Sequence, residues 1–426
     1  MSEAYVITGG QPLRGEVHVS GATKNSALKL LAGALLAPGT TTVHRIADIK
    51  DMRWFGEVLE RLGVRVDWEP GVVRVTVPEM LGYEAPYDLV SKMRASTAVL
   101  GPLLARMGRA KVALPGGDFL GPRPIDLHLR GLEQMGADIK VVHGFVEASC
   151  DRLKGTRITV MSNEYPSVGA TETLMLAAVL ADGRTVIDNA AREPEIVDLA
   201  TFLQKMGAKI DGAGTHTIEI EGVDELRPVE YDVMPDRLEA ATYLFATATT
   251  GGEVTVRDMR PRHLDIVLET LEQAGRTLEI GDDWVRITAE GRPMAVDIST
   301  LPYPGFATDL LPMATTMLAL ADGTSIVTEN IYDSRYFHVD ELARMGANVR
   351  VERHYCVVRG VHELTGAEVR ASDVSAGAAL VIAGLVARGR TQVADIIHID
   401  RRYENLEGKL SSLGADVQRV GAPVPA

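Results

Sequence analysis

A pattern of hydrophobic residues typical of an amphipathic helix recurs six times along the chain. Each copy approximates L-x-x-L/M-G and leads into a short alternating run, as in LEQMGADIKV and LARMGANVRV. A glycine at this point favours the left-handed backbone that ends a helix and turns the chain into a strand. The six glycines lie 68 to 73 residues apart, at Gly63, Gly136, Gly207, Gly275, Gly346 and Gly414. The pattern therefore predicts six copies of a helix followed by a strand.

A second pattern with a similar period consists of helices built almost entirely of small apolar residues, such as LMLAAVLA and AALVIAGLVA. A helix without a polar face is buried on all sides. We therefore predict an α/β fold of six repeated units, each running strand, helix, strand, amphipathic helix and β-hairpin, grouped as two lobes of three units. A long solenoid is the alternative, but neither terminal unit resembles the polar cap that a solenoid requires.

Charge and composition limit the partners of this globular chain of 426 residues. Acidic residues outnumber basic ones by 58 to 44, and a net charge of −14 disfavours nucleic acid and anionic membranes. Two cysteines, Cys150 and Cys356, provide no disulfide framework, and we find neither a signal-peptide pattern nor an apolar run of about 18 residues. We expect a cytoplasmic protein that holds any anionic ligand with a local cluster of arginine and lysine.

Metal and cofactor patterns are not evident in the sequence. The ten histidines are scattered without ligand spacing, and no G-x-G-x-x-G leads from a strand into a helix. We therefore expect no metal and no redox or nucleotide cofactor. Oligomeric state is left open.

Two glycine-rich segments carry charges that the repeat does not require. In VSGATKNSALKLL, Lys24 precedes a buried-type helix, where a cation adds to the positive end of the helix dipole and favours a bound anion. A solvated lysine is the alternative. The segment LPGGDFLGPRPIDLH, residues 114–128, is rich in Gly and Pro like a lid, and it contains Asp118 and Arg123. These side chains could deliver a proton and bind a phosphate, although Asp118 could also be a turn residue.

Two further segments have carboxylates and cations close together. Asp309 follows a Gly/Pro-rich turn in PYPGFATDLLP, where helix capping and a catalytic role are equally good interpretations. The run IHIDRRYENLEGKL contains Asp400, Arg401 and Arg402. A charge run of this kind is usually a solvated face.

These motifs resemble, in order and over essentially the whole chain, those of the UDP-N-acetylglucosamine enolpyruvyl transferase family. The segments that carry the resemblance are SGATKN, LPGGDFLGPRPIDLH, PSVGAT, NAAREPEIVD, MPDRLEAAT, PGFATDL, TENIYDSRYFHVDELARMGA and HIDRRYE. The resemblance implies an inside-out α/β barrel fold, with two similar lobes of three repeated units around buried helices. It places one lobe at residues 23–231, including the lid loop 114–124, and the other at residues 1–22 plus 232–426.

The resemblance also implies a reaction, which is the transfer of the enolpyruvyl group of phosphoenolpyruvate to the 3-hydroxyl of UDP-N-acetylglucosamine with release of phosphate. This is the first committed step of peptidoglycan precursor synthesis. Asp118 matches the acid that protonates the vinyl carbon, and Asp309 matches the base for the sugar hydroxyl. Lys24, Arg123 and Arg401 match the cations that hold phosphoenolpyruvate, and Lys24 is also counted as catalytic.

The positions that match contacts to the nucleotide sugar form a larger set. They are Asn25, Arg94, Arg123, Pro124, Ile125, Asp126, Leu127, Ser167, Val168, Gly169, Asp309 and Ile331. Arg335, Asp373 and Arg402 are further candidates.

Three departures from the family pattern bear on function. Asp118 replaces the cysteine that fosfomycin alkylates in many members, so we expect insensitivity to fosfomycin. Ser375 stands where an active-site arginine is expected, and Arg402 stands where a glycine is expected. We hypothesise that Arg402 restores the positive charge lost at position 375.

Two other functions remain open at this point. One is an enolpyruvyl transferase for another uridine nucleotide in a nucleoside-antibiotic pathway, and the other is a catalytically silent paralogue that binds nucleotide sugar. The presence of both Asp118 and Asp309 favours an enzyme. The intact motifs RPIDLH and PSVGAT disfavour the shikimate-pathway relative.

Overall fold

The chain forms two compact units in a computed structural model that describes residues 3–21, 24–90, 93–114, 125–161, 165–332 and 335–421, without the side chain of Arg94. Unit A comprises the described residues within Gly21–Gly117 and Pro122–Met234. Unit B comprises those within Met1–Ser20 and Pro235–Ala426. Each unit has its own hydrophobic core. The lobe boundaries expected from the sequence, 23–231 and 1–22 with 232–426, stay a prediction.

The first two strands of the chain belong to unit B and are followed by the elements of unit A. The strands are β1 (Ala4–Thr8) and β2 (Leu13–His18). Unit A consists of α1 (Ala27–Ala34), β3 (Gly39–Ile46), α2 (Lys50–Arg61), β4 (Arg65–Glu69), β5 (Gly71–Val77), β6 (Glu84–Ala85), α3 (Tyr87–Val90), α4 (Leu100–Met107), β7 (Arg109–Ala113), α5 (Asp126–Gln134), β8 (Asp138–Val142), β9 (Phe145–Ser149), β10 (Arg157–Thr159), α6 (Val168–Ala178), β11 (Arg184–Asp188), α7 (Pro194–Met206), β12 (Lys209–Asp211), β13 (Thr217–Glu221) and β14 (Glu230–Asp232).

The remaining elements complete unit B. They are α8 (Arg237–Thr250), β15 (Gly252–Arg257), α9 (Asp265–Gln273), β16 (Thr277–Ile280), β17 (Trp284–Ala289), β18 (Ile298–Ser299), α10 (Leu311–Leu318), β19 (Thr324–Thr328), α11 (Phe337–Arg344), β20 (Asn348–Glu352), β21 (Tyr355–Arg359), β22 (Glu368–Arg370), α12 (Val374–Val386), β23 (Arg390–Ala394), α13 (Leu406–Ser412) and β24 (Asp416–Val420). Short 3-10 helices lie at Arg94–Val99, Pro261–His263, Thr308–Leu310 and Ile399–Arg401.

The same four-stranded sheet occurs six times within the described residues, three times in each unit. The strand orders in unit A are β14-β3-β5-β4, β6-β7-β9-β8 and β10-β11-β13-β12, and those in unit B are β16-β17-β15-β2, β18-β19-β21-β20 and β22-β23-β1-β24. Each sheet contains one parallel pair, such as β6 with β7, and two antiparallel pairs, and in five of the six sheets one antiparallel pair is a hairpin, such as β8 with β9. The prediction of six repeated α/β units is confirmed.

Strands distant in the chain complete three of these sheets. The strand β14 pairs with β3, β2 pairs with β15, and β1 pairs with both β23 and β24. The order strand, helix, strand, helix, hairpin is therefore continuous in some units and assembled from remote segments in others.

Buried helices form the centre of each unit, as the apolar pattern predicts. In unit B, α8, α10 and α12 pack against one another, and residues Val374 to Leu385 of α12 are buried. In unit A, α4 packs closely on α6, and a Cβ added at Gly101 would lie 2.6 Å from the carbonyl oxygen of Thr173. The six glycines of the amphipathic pattern all have φ between 81° and 111°, so they end their helices in the predicted way. Within the described ranges, no helix has both the length and the apolar character needed to cross a membrane.

Candidate active site

The carboxylate of Asp309 contacts two arginines in unit B. Arg335 donates from Nη2 to Oδ1 at 2.5 Å, and Arg402 donates from Nη2 to Oδ2 at 3.2 Å. Asp309 lies in the 3-10 helix Thr308–Leu310, directly before α10, and neither helix has a side-chain cap. The interpretation of Asp309 as a helix cap is therefore wrong, and its oxygens serve an ion-pair cluster.

Burial and charge act in opposite directions on this cluster. The side chains of Arg335 and Arg402 are only 2% and 6% exposed, and that of Asp309 is 26% exposed. Burial acts to raise the pKa of Asp309, but the charges of Arg402 and Arg335 outweigh it and hold the pKa well below its ordinary value. Asp309 is therefore a carboxylate at neutral pH, and both of its oxygens accept hydrogen bonds from guanidinium groups.

Position 375 adjoins the same cluster. Ser375 lies in the first turn of α12 and is buried, and its Oγ accepts a hydrogen bond from Nη2 of Arg335 at 3.1 Å. Asp373 caps this helix, because its Oδ1 accepts from the backbone N–H groups of Ser375 and Ala376. The structure therefore brings together Asp309, Arg335, Arg402 and Ser375, and it gives Asp373 a capping role beside them.

A neutral histidine supports the segment that contains Arg335. Burial lowers the pKa of His338 to about 4, against the opposing effect of Asp373. The neutral ring donates from Nδ1 to the carbonyl oxygen of Arg335 at 3.2 Å. This hydrogen bond fixes the backbone of Arg335 where the chain enters α11.

A buried glutamate, to which sequence reasoning gave no role, organises the segment around Ile331. Oε1 of Glu329 accepts hydrogen bonds from the hydroxyl of Thr300 and from the backbone N–H groups of Ile331 and Tyr332. Its Oε2 accepts from the hydroxyl of Thr308, which immediately precedes Asp309. The segment TENIY contained this residue, but a single sequence cannot show that its carboxylate turns back toward its own loop.

The run containing Arg401 and Arg402 is not a solvated face. Both arginines are at least nine-tenths buried. Arg419 on β24 donates two hydrogen bonds, at 2.6 and 3.1 Å, to Asp400, the residue before Arg401. It also donates to Glu407 at 2.7 Å. The solvated interpretation is wrong because this carboxylate is turned toward an arginine from a distant strand.

In unit A, Lys24 contacts a carboxylate of its own chain. Its Nζ lies 2.8 Å from Oδ2 of Asp51, a fully buried residue in the first turn of α2. Two residues further on, Ser26 donates to Asp198 at 2.5 Å. Asp198 also accepts from the hydroxyl of Tyr231, so the segment around Lys24 and Asn25 is anchored to α7 and β14. The interpretation of Lys24 as a solvated lysine is therefore wrong, because its ammonium group contacts a buried carboxylate.

Six of the described positions expected to contact the nucleotide sugar lie at two helix starts of unit A, whereas Asn25 lies just before α1. Ile125, Asp126 and Leu127 begin α5, and Ser167, Val168 and Gly169 begin α6. The helices are neighbours, since a Cβ at Gly169 would lie 2.8 Å from Nε2 of His128 in α5. Two adjacent helix N-termini present backbone N–H groups and positive dipole ends, which suit a diphosphate.

Several expected site residues lie outside the described residues, namely Asp118, Arg123 and Pro124, together with the side chain of Arg94. Among the described residues, we find no group of three or more His, Cys, Asp or Glu arranged to hold a metal ion.

Comparison with known proteins places these observations in a family. The sequence model of the family described as EPSP synthase (3-phosphoshikimate 1-carboxyvinyltransferase) matches residues 7–410. The chain belongs to the EPSP synthase family. Its fold agrees with solved members, because it superposes on an EPSP synthase from Acinetobacter baumannii with a TM-score of 0.76, at 17% identity and with 99% of this chain and 100% of that chain covered. The enolpyruvyl transferase NikO from Streptomyces tendae gives a TM-score of 0.89 at 24% identity, over 99% of this chain and 100% of that chain.

Within the EPSP synthase family, the chain is similar over its full length to proteins of one name. A UDP-N-acetylglucosamine 1-carboxyvinyltransferase from Corynebacterium jeikeium is 50% identical over 420 residues, which cover 99% of this chain and 100% of that protein. A protein of the same name from Nocardia farcinica is 51% identical over 427 residues, with 99% of each chain covered.

Proposed function

We propose that this protein transfers the enolpyruvyl group of phosphoenolpyruvate to the 3-hydroxyl of UDP-N-acetylglucosamine and releases phosphate. The observation that carries the proposal is the 50% identity, over essentially both whole chains, to the Corynebacterium jeikeium UDP-N-acetylglucosamine 1-carboxyvinyltransferase. The two solved structures are less than 25% identical and support the fold alone. In this proposal the enzyme is cytoplasmic and feeds peptidoglycan synthesis, and with it cell-wall growth, cell shape and division.

The chemistry requires an acid, a base and cations. A C–O bond forms between the sugar oxygen and C2 of phosphoenolpyruvate while C3 gains a proton. Loss of phosphate and of a proton from C3 then restores the double bond. We assign the acid to Asp118, the base to Asp309, and the cations to Lys24, Arg123 and Arg401.

The geometry of Asp309 adds a condition to its role as base. A carboxylate whose two oxygens accept from Arg335 and Arg402 is a weak base, since both guanidinium groups favour its ionised form. Phosphoenolpyruvate brings a phosphate and a carboxylate that compete for the same guanidinium groups. In our proposal, its binding removes a hydrogen bond from Asp309 and thereby frees an oxygen for the sugar hydroxyl.

The uridine diphosphate is assigned to the helix starts of unit A. Backbone N–H groups at the start of α6, where Ser167 accepts from the N–H of Ala170 at 3.3 Å, suit the phosphates. Asp126 and its neighbours at the start of α5 supply the other contacts that the family resemblance implies.

Phosphate release from phosphoenolpyruvate tests this function. UDP-N-acetylglucosamine, UMP and UDP are compared as acceptors, with a reaction lacking acceptor as the control. We expect release with the nucleotide sugar alone. Release only with another uridine nucleotide would assign the protein to the nucleoside-antibiotic alternative, and no release with any acceptor would favour a silent binding protein.

Insensitivity to fosfomycin is a separate part of the proposal. An aspartate at position 118 is a weak nucleophile toward the epoxide, so we expect full activity after prolonged incubation with the drug. Time-dependent inactivation with a covalent adduct on the peptide that contains Asp118 would contradict this expectation.

A further inference from the structure

Two arginines share the single carboxylate of Asp309. Arg335 and Arg402 each contact one oxygen, so two guanidinium groups share one negative charge. Asp373 and Asp236 also attract Arg335 and Arg402, respectively, so each guanidinium group has a second carboxylate nearby.

Each of the two arginines also has one buried Nε–H donor that no described residue accepts. The Nε atoms of Arg335 and Arg402 are buried and have no hydrogen-bond partner among the described residues. Buried donors in folded proteins are nearly always paired, so each exception needs an explanation, and a bound ion or ligand is one of them. Two unpaired Nε–H donors do not stabilise a purely structural ion pair. In a site that binds an anion, they can donate hydrogen bonds to that anion.

Ser375 determines how many cations fit at this place. Its side chain is 3% exposed and contacts Nη2 of Arg335 directly. An arginine at position 375 would set a third guanidinium against Arg335, in a buried space now filled by a hydroxymethyl group. The small neutral serine therefore leaves the cluster with two cations, and Arg402 is the second.

We propose that Arg402 is an anion-binding cation of this site and that Ser375 and Arg402 work as a coupled pair. Ser375 leaves the guanidinium of Arg335 without a like charge beside it, and Arg402 brings the second positive charge to the other oxygen of Asp309. The inference rests on the proposed function, in which the anion is phosphoenolpyruvate. It adds to that function by identifying Arg402 as the cation that compensates for the neutral side chain at position 375.

A double-mutant cycle tests the coupling. Wild type, Arg402→Gly, Ser375→Arg and the double variant are compared for kcat and for KM toward each substrate by phosphate release. We expect each single change to raise KM for phosphoenolpyruvate about tenfold or more, which corresponds to about 1.4 kcal/mol of binding free energy. The double variant should recover to within about threefold of wild type, and KM for the nucleotide sugar should change less. Purely additive effects would overturn the coupling, and an unchanged KM in Arg402→Gly would overturn the role of Arg402.

Two variants whose side chains are long, like that of arginine, distinguish a loss of charge from misfolding. Arg402→Lys keeps the charge and Arg402→Gln removes it, and thermal unfolding monitors the stability of both. We expect lysine to retain much of the affinity for phosphoenolpyruvate and glutamine to lose it. Equal loss in the two variants would mean that shape, not charge, is what position 402 supplies, and would overturn the proposal.

A wild type that releases no phosphate with any acceptor would refute the proposed function without deciding the inference. Calorimetric titration of the same variants with phosphoenolpyruvate alone then decides it. Weaker binding in Arg402→Gln than in Arg402→Lys, with recovery in the double variant, would support the pair. Equal affinity in all variants would overturn it.

Discussion

Replacing Asp309 with Asn removes the negative charge that Arg335 and Arg402 share. Each contact is worth about 4 kcal/mol of Coulomb attraction at a charge separation of about 4 Å and an effective dielectric constant of about 20. Desolvation offsets much of this attraction, and removing one partner of a buried pair costs about 3–5 kcal/mol overall. The side chain of Asp309 is 26% exposed, so we expect the lower end of that range, about 3 kcal/mol.

This loss is measurable by thermal unfolding. For a unit of roughly 200 residues, about 3 kcal/mol lowers Tm by about 6–12 °C. Asp322→Asn is the matched control, because Asp322 has an 85% exposed side chain and a 3.8 Å contact with Arg292. An exposed pair of this kind contributes about 0–1 kcal/mol. Removal of a general base should also lower kcat by at least about a hundredfold in Asp309→Asn.

The stabilising effect of Asp309 should also depend on pH, in a direction set by its pKa. The folded-state pKa of Asp309 is depressed, so its contribution to stability is complete above the unfolded-state pKa of about 4 and is lost as pH falls toward the folded-state value. The Tm difference between wild type and Asp309→Asn should therefore be constant from about pH 6 to 8 and shrink below about pH 4. Equal Tm values for the Asp309→Asn and Asp322→Asn variants at pH 7 would refute the reasoning.

Three further changes test packing and positioning. Gly101→Ala places a Cβ 2.6 Å from the carbonyl oxygen of Thr173, so we expect a loss of about 1–3 kcal/mol in urea unfolding although alanine favours helices; an unchanged midpoint would contradict it. Arg419→Gln removes the guanidinium group that binds Asp400. If this weakens the positioning of Arg401 by about 1 kcal/mol, KM for phosphoenolpyruvate should rise about fivefold. Equal KM values in wild type and variant would argue against this role. Glu329→Gln turns an acceptor of four hydrogen bonds into a partial donor, and we expect about 2–3 kcal/mol of destabilisation by calorimetry; a wild-type Tm would disprove it.

The repeated architecture could be predicted because its signals are local. A glycine at positive φ ends each amphipathic helix, and each apolar helix has no polar face to expose. The sequence could not reveal that β1, β2 and β14 complete sheets begun elsewhere. Such pairing joins segments far apart in the chain, and a strand of three to six residues contains no mark of its remote partner.

The candidate site was predictable in its residue types but not in its pairings. Asp309 could be a cap or a base from its neighbours alone, and only the positions of Arg335 and Arg402 exclude the cap. Arg402 lies in a run of charges that resembles a solvated surface. Arg402 is nevertheless buried against Asp309, and the neighbouring Asp400 is paired with Arg419, which lies on the last strand of the described chain. Local sequence contains no information about such a contact.

The weak basicity of Asp309 in this structure is a consequence of the charges that make the site attractive to an anion. Two guanidinium groups hold the carboxylate ionised and each donates to one of its oxygens, so its basicity rises when one of them is drawn away. In the proposed reaction, phosphoenolpyruvate brings its anionic groups to this cluster, whereas the reacting hydroxyl of the nucleotide sugar is neutral and its diphosphate is assigned to the helix starts of unit A. In the proposed mechanism, proton transfer to Asp309 therefore becomes easier when phosphoenolpyruvate is bound, and the arginine that recognises this substrate also weakens the base in its absence. In that mechanism, Asp309 becomes a stronger base toward the nucleotide sugar only when phosphoenolpyruvate is bound beside it.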